Sequence, residues 1–275
     1  VGVISYGGKG INADNIRSYF ATEVFLEKAI YENTPPNILN EFHCHATGNP
    51  KFDCIYNAYL HKVTIPATFK KMQNTQIKKV ILWTTDHNGG FQFCSPDVAF
   101  DLYANVVFNY LKEHKDIGLI FRPYRTYVNE LQRNGLWTEE QVNYLRQYCD
   151  ISENIVWDDE PDYSASYSLA DAILADAGCG IIGSALPMMK PIGVTLRWDL
   201  DMSGIVSHNK DIINSHYQIS SESEMLSFIE MVVKERDFDM VQRKQLCRKY
   251  VTHFDGKNGE RIKNIIIQKC QKKWQ

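Results

Sequence analysis

The sequence lacks several features that would assign it quickly to a class. No segment approaches the roughly 20 consecutive apolar residues that a membrane-spanning helix requires. The seven cysteines are odd in number and form no C-x-x-C pair, which argues against a disulfide framework or a zinc finger and favours reduced thiols in the cytoplasm. The net charge of −3 argues against nucleic acid as a partner, because neutralising phosphates requires a clearly basic face.

What the sequence does contain, from residue 78 onward, is an alternation of short apolar runs and longer helical patterns. Such alternation is typical of stacked βαβ units around a parallel sheet. Helices are predicted between the strands and over 222–235, 238–250 and 257–273. Strands are predicted at 78–84, 117–123, 154–159, 189–196 and 216–220, with a further one inside 170–178. The prediction is an α/β fold with a complete, doubly wound parallel sheet.

Start signals mark two of the predicted helices. Ser95 is placed as an N-cap with Pro96 at the first helical position. Thr138, with Gln141 three residues later, has the capping-box pattern. The apolar stripe of the helix after Ser95 is predicted to consist of Val98, Leu102, Val106 and Tyr110.

The first 65 residues fit this scheme less well. VGVISY and NEFHCHATG provide two strand candidates around one helix at 21–32, and two strands do not form a stable open sheet alone. Residues 1–65 are therefore predicted to end a preceding Rossmann-like domain, with 66–275 as the complete C-terminal domain. Because the sequence begins at Val1 without a methionine, the natural N-terminus is expected upstream. His43 and His45 share one strand face, but no third ligand joins them, so no metal site is predicted.

Ligands of open parallel sheets lie outside the carboxyl ends of the strands. The turn after the fourth predicted strand is D-A-G-C-G, in which small residues let the backbone approach an anion such as a diphosphate. The same residues could equally serve close packing of a helix on the sheet. The donor-phosphate candidates at this turn are Asp176, Ala177, Gly178, Cys179 and Gly180.

Charged residues follow the other predicted strands. Arg122 and Arg125 suit phosphate oxygens, or an ion pair with helix 138–148. Asp86 beside His87 is a candidate acid-base pair, since a carboxylate can raise the pKa of imidazole, although such a pair can also be structural. Tyr124 and Lys190 complete the candidate phosphate site, and the residues assigned to the nucleoside side are Asp158, Asp159 and Glu160.

Near the C-terminus, FDGKNGERI (254–262) is a polar turn before the last predicted helix. Asp255 and Asn258 are predicted cap or turn residues, and Gly256 permits a positive φ. The following segment, QKCQKKWQ with Trp274, is either a solvated tail or a contact to anionic lipid.

Six stretches in register resemble the family of CDP-glycerol glycerophosphotransferases, which polymerise teichoic acids and related surface polymers. The resemblance spans about residues 45 to 265 and rests on GNPKFD, VILWTTDHN, IFRPYRT, NGLWTEEQV, SLADAILADAGCGIIGSALPMMKPIGV and HFDGKNGERI. It implies a GT-B arrangement, in which two Rossmann-like domains face each other and the C-terminal one holds a nucleotide-activated donor. It also implies that residues 176–180 cradle the donor diphosphate, that Arg122 to Arg125 line its phosphate side, and that Lys257 and Arg261 lie near the donor.

The function that this resemblance implies is a metal-independent and cofactor-independent transferase. It would move a glycerophosphate, phosphoalditol or glycosyl group from a CDP-linked or other nucleotide donor to a lipid-linked polysaccharide at the cytoplasmic face of the plasma membrane. His87 would act as base or phosphate donor. Two alternatives stay open: a non-catalytic nucleotide-sugar-binding domain of a larger polysaccharide synthase, and a GT-B-fold UDP-sugar epimerase that uses the carboxylates of 158–160.

Overall fold

The computed structural model describes residues 2–4, 18–21, 43–60, 63–86, 98–203, 213–251 and 253–272. The chain divides into two compact units, of which the larger comprises His61–Arg243. The smaller comprises Val1–Leu60 together with Lys244–Gln275. The C-terminal segment therefore lies with the first 60 residues, whereas the sequence grouped it with the residues from 66 onward.

Within the described residues, the sheet of the smaller unit consists of three parallel strands. They are β1 (Gly2–Ile4), β2 (Ser18–Ala21) and β3 (His43–Ala46), in that spatial order. β3 leads into helix α1 (Lys51–Tyr59). Only β1 and β3 were predicted; β2 ends at the first residue of the helix predicted at 21–32, and the rest of that helix lies outside the described residues.

In the part of the larger unit that the structure describes, six parallel strands form a sheet in the spatial order β6-β5-β4-β7-β8-β9. Counted along this unit, the order is 3-2-1-4-5-6, the Rossmann order, and it reverses between β4 and β7. All six predicted strands are confirmed. They are β4 (Lys79–Thr84), β5 (Ile117–Arg122), β6 (Ile155–Trp157), β7 (Ala172–Asp176), β8 (Ile192–Thr195) and β9 (Tyr217–Ile219).

Helices connect these strands. Short 3-10 helices cover Ala67–Gln73 and Leu186–Met188. The α-helices are α2 (Phe100–Glu113), α3 (Tyr127–Arg133), α4 (Glu139–Ile151), α5 (Ser164–Leu169), α6 (Ile181–Ser184) and α7 (Glu222–Val233). No helix within the described ranges is long and apolar enough to cross a bilayer.

One helix start was predicted correctly and the other was not. At α4, Thr138 Oγ1 accepts from the Gln141 amide at 3.2 Å and Gln141 Oε1 accepts from the Thr138 amide at 2.8 Å, so the capping box is confirmed. α2 begins only at Phe100, because Val98 and Ala99 are not helical; Ser95 and Pro96 lie outside the described residues. The buried face of α2 is Phe100, Tyr103, Val107 and Leu111, one position beyond the predicted stripe.

An aromatic cluster anchors α2 on the sheet. The rings of Phe100 and Phe121 stack with centroids 4.6 Å apart, and Trp83 lies 5.1 Å from Phe100. All three side chains are almost completely buried. Because these residues belong to α2, β5 and β4, the cluster fixes this helix over β4 and β5.

The chain ends with α8 (Met240–Tyr250) and α9 (Asn258–Lys272). The cap of α9 comes from α1, since the Asp53 carboxylate accepts from the Asn258 amide at 2.9 Å and the Gly259 amide at 2.8 Å. Asp255 instead pairs with Arg261, which lowers the pKa of Asp255 to about 2. Gly256 has the predicted positive φ, 72°. The polar turn before α9 therefore has a structural role, in which the Asp255–Arg261 pair and the Asp53 carboxylate of α1 hold the start of the helix.

Candidate functional site

The carboxyl ends of β4 and β7 lie side by side at the reversal of strand order. Thr84 pairs with Ala175 in the parallel register, so the residues that follow them emerge next to each other. Ligands of open α/β sheets bind at such a point because the loops there diverge to opposite faces. The sequence placed its catalytic candidates and its phosphate turn at these two strand ends. The structure brings Asp86 and the turn at 176–180 to this edge.

A buried carboxylate holds this edge together. Asp176 is fully buried, and its Oδ2 accepts from the Asp86 amide at 2.9 Å. Its Oδ1 accepts from the Ala99 amide at 3.0 Å and from Thr195 Oγ1 at 2.8 Å. Asp176 therefore joins β4, the start of α2 and β8, and it acts as a positioning residue; the sequence had assigned it to the donor phosphates.

The two glycines of the phosphate turn face solvent. Ala177 is buried and Cys179 half-buried, whereas Gly178 and Gly180 are exposed. The Cys179 amide donates to the Asp176 carbonyl at 2.9 Å and so closes the turn. Gly180 has an ordinary φ of −61°, and a Cβ added there would meet no atom within 4 Å. Neither backbone conformation nor internal packing requires glycine at this position.

The turn also carries a spacing that sequence reasoning missed. Gly178, Gly180 and Gly183 stand in the order G-x-G-x-x-G, the pattern of dinucleotide-binding turns. In those turns the pattern follows the first strand, and its third glycine allows close packing of helix on strand. Here it follows β7, α6 has four residues, and a Cβ at Gly183 would meet open space. In this chain the G-x-G-x-x-G spacing therefore belongs to an open turn. Its third glycine, Gly183, does not serve close packing of a helix on a strand.

Arg122 forms an ion pair at the end of β5. Its Nη1 lies 2.6 Å from Asp158 Oδ2, and its Nη2 donates to the Glu160 carbonyl at 2.9 Å. Ser166 also donates to the Asp158 carboxylate. The expected alternative, an ion pair with helix 138–148, is therefore replaced by one with the end of the neighbouring strand.

The three acidic residues after β6 do not form one carboxylate cluster. The Asp158 side chain is buried against Arg122 and Ser166. Asp159 pairs with Arg146 at 2.5 Å and accepts from the Trp157 indole at 2.8 Å. Glu160 accepts from Thr68 at 3.1 Å. Each carboxylate contacts a different partner, and the three do not point to one common position. Their assignment to the nucleoside side of a donor therefore stays a prediction.

The loop after β5 presents exposed groups at the same sheet edge. Thr85, which is fully buried, accepts from the Tyr124 amide at 3.2 Å and so fixes the start of the loop to the end of β4. The Tyr124 side chain is 46% exposed, and Arg125 is also exposed. The loop therefore offers a phenol and a guanidinium close to the point where the strand order reverses.

Lys190 lies at the amino ends of the strands, opposite the end at which the candidate site lies. It precedes β8, and its ammonium donates to the carbonyls of Tyr167 and Ala170 at 2.6 and 2.5 Å, at the C-terminal end of α5. Burial lowers the pKa of Lys190 to about 8. Its assignment to the phosphate site was wrong because residues before a parallel strand emerge at the amino edge, away from the carboxyl ends of the strands.

The remaining predictions are the acid-base pair of Asp86 and His87, the contact of Trp274 with lipid, and the question of a metal site. His87 lies outside the described residues, as does Trp274. Asp86, its predicted partner, is half-buried and donates its amide to Asp176. Among the described residues, no group of three or more metal-ligating side chains comes together.

The structure was compared with known proteins. No protein-family model matches the chain, and no curated protein sequence matches it. Among solved structures, the wall teichoic acid polymerase TagF matches with a TM-score of 0.64 at 11% identity over 96% of this chain and 60% of TagF. A TagF variant soaked with CDPG matches with a TM-score of 0.63 at 12% identity over 100% of this chain and 64% of that one.

Two enzymes whose structures contain UDP or a UDP-sugar have similar folds. S. aureus MnaA with UDP gives a TM-score of 0.56 at 14% identity, over 92% of this chain and 61% of that one. UDP-GlcNAc 2-epimerase from Neisseria meningitidis, bound to UDP-GlcNAc, gives 0.53 at 13% identity, over 92% and 62%. The GT-B fold class is therefore confirmed, and TagF is the kind of enzyme that the sequence motifs resemble. The chain spans about three fifths of the length of these structures.

Proposed function

We propose that the chain is part of a GT-B-type transferase whose larger unit binds a nucleotide-activated donor at the carboxyl ends of β4, β5 and β7. The transferred group is a glycerophosphate or another phosphoalditol, and the donor is CDP-linked. The acceptor is a lipid-linked polysaccharide or teichoic-acid-like polymer at the cytoplasmic face of the membrane. The observation that supports this proposal most is the open turn at Gly178 and Gly180, next to the reversal of strand order.

The donor diphosphate is proposed to lie against this turn. Backbone at exposed glycines can approach an anion closely because no side chain intervenes. Arg125, exposed on the loop after β5, supplies the charge-assisted hydrogen bonds. Arg122 acts indirectly, since its ion pair with Asp158 holds the ends of β5 and β6 together.

The proposed reaction transfers a phosphoalditol. The acceptor hydroxyl oxygen forms a bond to the phosphorus that carries the alditol, and the bond from that phosphorus to the bridging oxygen breaks, so that cytidine monophosphate leaves. The hydroxyl proton passes to a base, for which His87 is proposed. Positive charge near the leaving phosphate stabilises the charge that develops there.

A second candidate function is epimerisation of a UDP-sugar, favoured by the fold similarity to UDP-GlcNAc 2-epimerases. Such chemistry needs carboxylates that can exchange protons with the sugar. The carboxylates of Asp158, Asp159 and Glu160 are each paired elsewhere, which weighs against this candidate. A non-catalytic donor-binding domain is the remaining alternative.

Calorimetric titration with CDP-glycerol and UDP-GlcNAc separates these proposals. We expect CDP-glycerol to bind more tightly, and we expect Arg125→Gln to weaken that binding about tenfold or more through loss of a charge-assisted contact. Arg133→Gln, which removes an exposed arginine one helix later, is the matched control and should bind normally. Tighter binding of UDP-GlcNAc, or equal binding by the Arg125→Gln variant, would contradict the proposal.

Activity of the full-length protein decides between a transferase and a binding domain. Release of cytidine monophosphate that depends on added acceptor polymer is expected. Donor binding without turnover would favour the non-catalytic alternative, and conversion of a UDP-sugar without any acceptor would favour the epimerase.

A further inference from the structure

A groove between α2 and α4 lies on a helical face of the larger unit. One end of it is lined by Phe100 and Asp101, which follow Ala99 at the strand-end edge. Its two walls follow from helical spacing, since residues three or four positions apart share a face. Asn105, Phe108 and Asn109 line it from α2, and Gln141, Tyr144 and Tyr148 line it from α4. The cavity between them is about 650 Å³, which lies within the range of small-molecule sites.

The floor and rim of the groove are aromatic. Phe108 and Tyr148 pack with ring centroids 5.6 Å apart and tilted planes, and Trp137 also lines the groove. Tyr144 is 70% exposed, so most of its ring is presented to solvent beside the groove. Rings presented in this way offer flat apolar surface to a ligand, with a phenol hydroxyl at the edge.

Side-chain amides border the aromatic surface. Asn105 and Asn109 are exposed and one helical turn apart on α2. Gln141 Oε1 accepts from the Thr138 amide in the capping box, so this carboxamide is held in place while its NH₂ group remains a donor. A carboxamide both donates and accepts, and this combination matches the paired hydroxyl groups of a sugar ring.

Charge in the groove is small. Asp101 is paired with Arg197 at 2.6 Å, which leaves Lys112 as the other charged lining residue. A phosphorylated or strongly anionic ligand would need several cations, and the described lining does not provide them. The ligand that fits this chemistry is uncharged, polyhydroxylated and flat on at least one face.

We propose that this groove binds a neutral oligosaccharide, with pyranose rings stacked on Tyr144 and Tyr148 and their hydroxyl groups bonded to the amides of Asn105, Asn109 and Gln141. The proposed stacking residues, Tyr144 and Tyr148, belong to α4 and are not among the strand-end residues, so the proposal does not depend on donor binding at the strand-end edge. The groove would hold a sugar chain on the larger unit while the strand-end edge binds another molecule.

The test uses maltotetraose, cellotetraose and chitotetraose as probes, each titrated into the chain by calorimetry and by saturation-transfer NMR. At least one should bind, with its ring protons saturated from the aromatic resonances. Tyr144→Ala should weaken that binding about fivefold to tenfold, in line with one lost stacking contact. Asn109→Asp, which keeps the shape but removes the amide donor, should also weaken it. Phe238→Ala, at another aromatic residue that is 76% exposed, is the control and should bind normally.

Folding and donor binding are checked on the same proteins. Because Tyr144 is mostly exposed, the Tyr144→Ala variant should melt at the wild-type temperature and bind CDP-glycerol as the wild type does. Absence of binding by all three tetrasaccharides overturns the proposal, as does unchanged binding by Tyr144→Ala. Competition between a tetrasaccharide and CDP-glycerol would place both in one site and also overturn it.

Discussion

At the scale of single residues, the Asp176 carboxylate connects more of the candidate site than any exposed group does. Its partners are the amides of Asp86 and Ala99 and the hydroxyl of Thr195. Residues 86 and 99 stand on either side of the segment that contains His87. A charged acceptor for three donors in the interior is strongly held, because charge-assisted bonds are stronger than neutral ones and their loss leaves buried donors unpaired.

Asp176→Asn tests this role. The amide keeps the shape of the side chain but turns one acceptor oxygen into a donor, so at least one of the three hydrogen bonds is lost. We expect the free energy of unfolding to fall by about 1–3 kcal/mol, measured by urea denaturation, with donor affinity falling as well. An Asn variant as stable as the wild type would show that the carboxylate does not hold this edge.

A second residue-scale effect concerns His216. The ring is buried, and neither nitrogen has a hydrogen-bond partner among the residues that the structure describes. Burial, together with nearby Arg243, lowers the pKa of His216 to about 3. The unfolded chain binds a proton near pH 6.5 and the folded one does not until about pH 3. Stability should therefore rise with pH between about 3 and 6.5, by at most about 1.4 kcal/mol per pH unit from this group.

Chemical denaturation at several pH values measures this effect. The slope in that window should shrink in His216→Phe, which fills a similar volume without a titrating group. Equal slopes for the two proteins would mean that His216 titrates normally in the folded state.

At the scale of elements, α9 depends on a side chain from a distant part of the sequence. Asp53 of α1 accepts from the first two amides of α9, and an N-cap carboxylate also interacts favourably with the helix dipole. Phe254 packs edge-on against Tyr56 of α1 with ring centroids 5.3 Å apart, so an aromatic contact also joins the turn to α1. The turn FDGKNGERI thus derives its rigidity from α1.

Asp53→Ala should destabilise the protein by about 0.5–2 kcal/mol through loss of this cap, with faster amide exchange in the first turn of α9. The matched control is Asp255→Ala, which breaks an exposed ion pair and should cost less than about 1 kcal/mol. A larger effect at Asp255 than at Asp53 would assign the cap to Asp255, one of the two residues that the sequence predicted as cap or turn residues.

Helices and strands were predicted correctly where the local sequence pattern was strong, and they were missed or misplaced where it was weak or misleading. Strands β4 to β9 are apolar runs between clear helical segments, so their existence could be predicted from the sequence, as could the capping box at Thr138. β2 was missed because SYFA runs directly into the segment predicted as a helix at 21–32, with no glycine or proline between them. The start of α2 was placed too early because Ser95 and Pro96 carry a strong capping signal, although the chain becomes helical only at Phe100.

At the scale of the whole molecule, the order of the strands decides which sequence candidates can act together. Residues after β4, β5 and β7 share one edge, so Asp86, Arg125 and Gly180 could be grouped from the predicted topology alone. Lys190 could not belong there, because it precedes its strand. The side-chain partners of Arg122 and Asp158, and the pairing of the C-terminal segment with the first 60 residues, are contacts between distant positions that periodicity and spacing do not reveal.

The measurement that tests the central claim most directly is donor affinity of Gly180→Ala, determined by calorimetry with CDP-glycerol. Since Gly180 has an ordinary φ and an added Cβ meets no protein atom within 4 Å, the stability of this variant should stay within about 1 kcal/mol of the wild type. Gly183→Ala adds the same methyl group to open space beyond the turn and is the control. If a diphosphate lies against the turn, Gly180→Ala should bind the donor at least about tenfold more weakly, as the added methyl displaces a charge-assisted contact, while Gly183→Ala binds normally; wild-type affinity in Gly180→Ala would contradict the account.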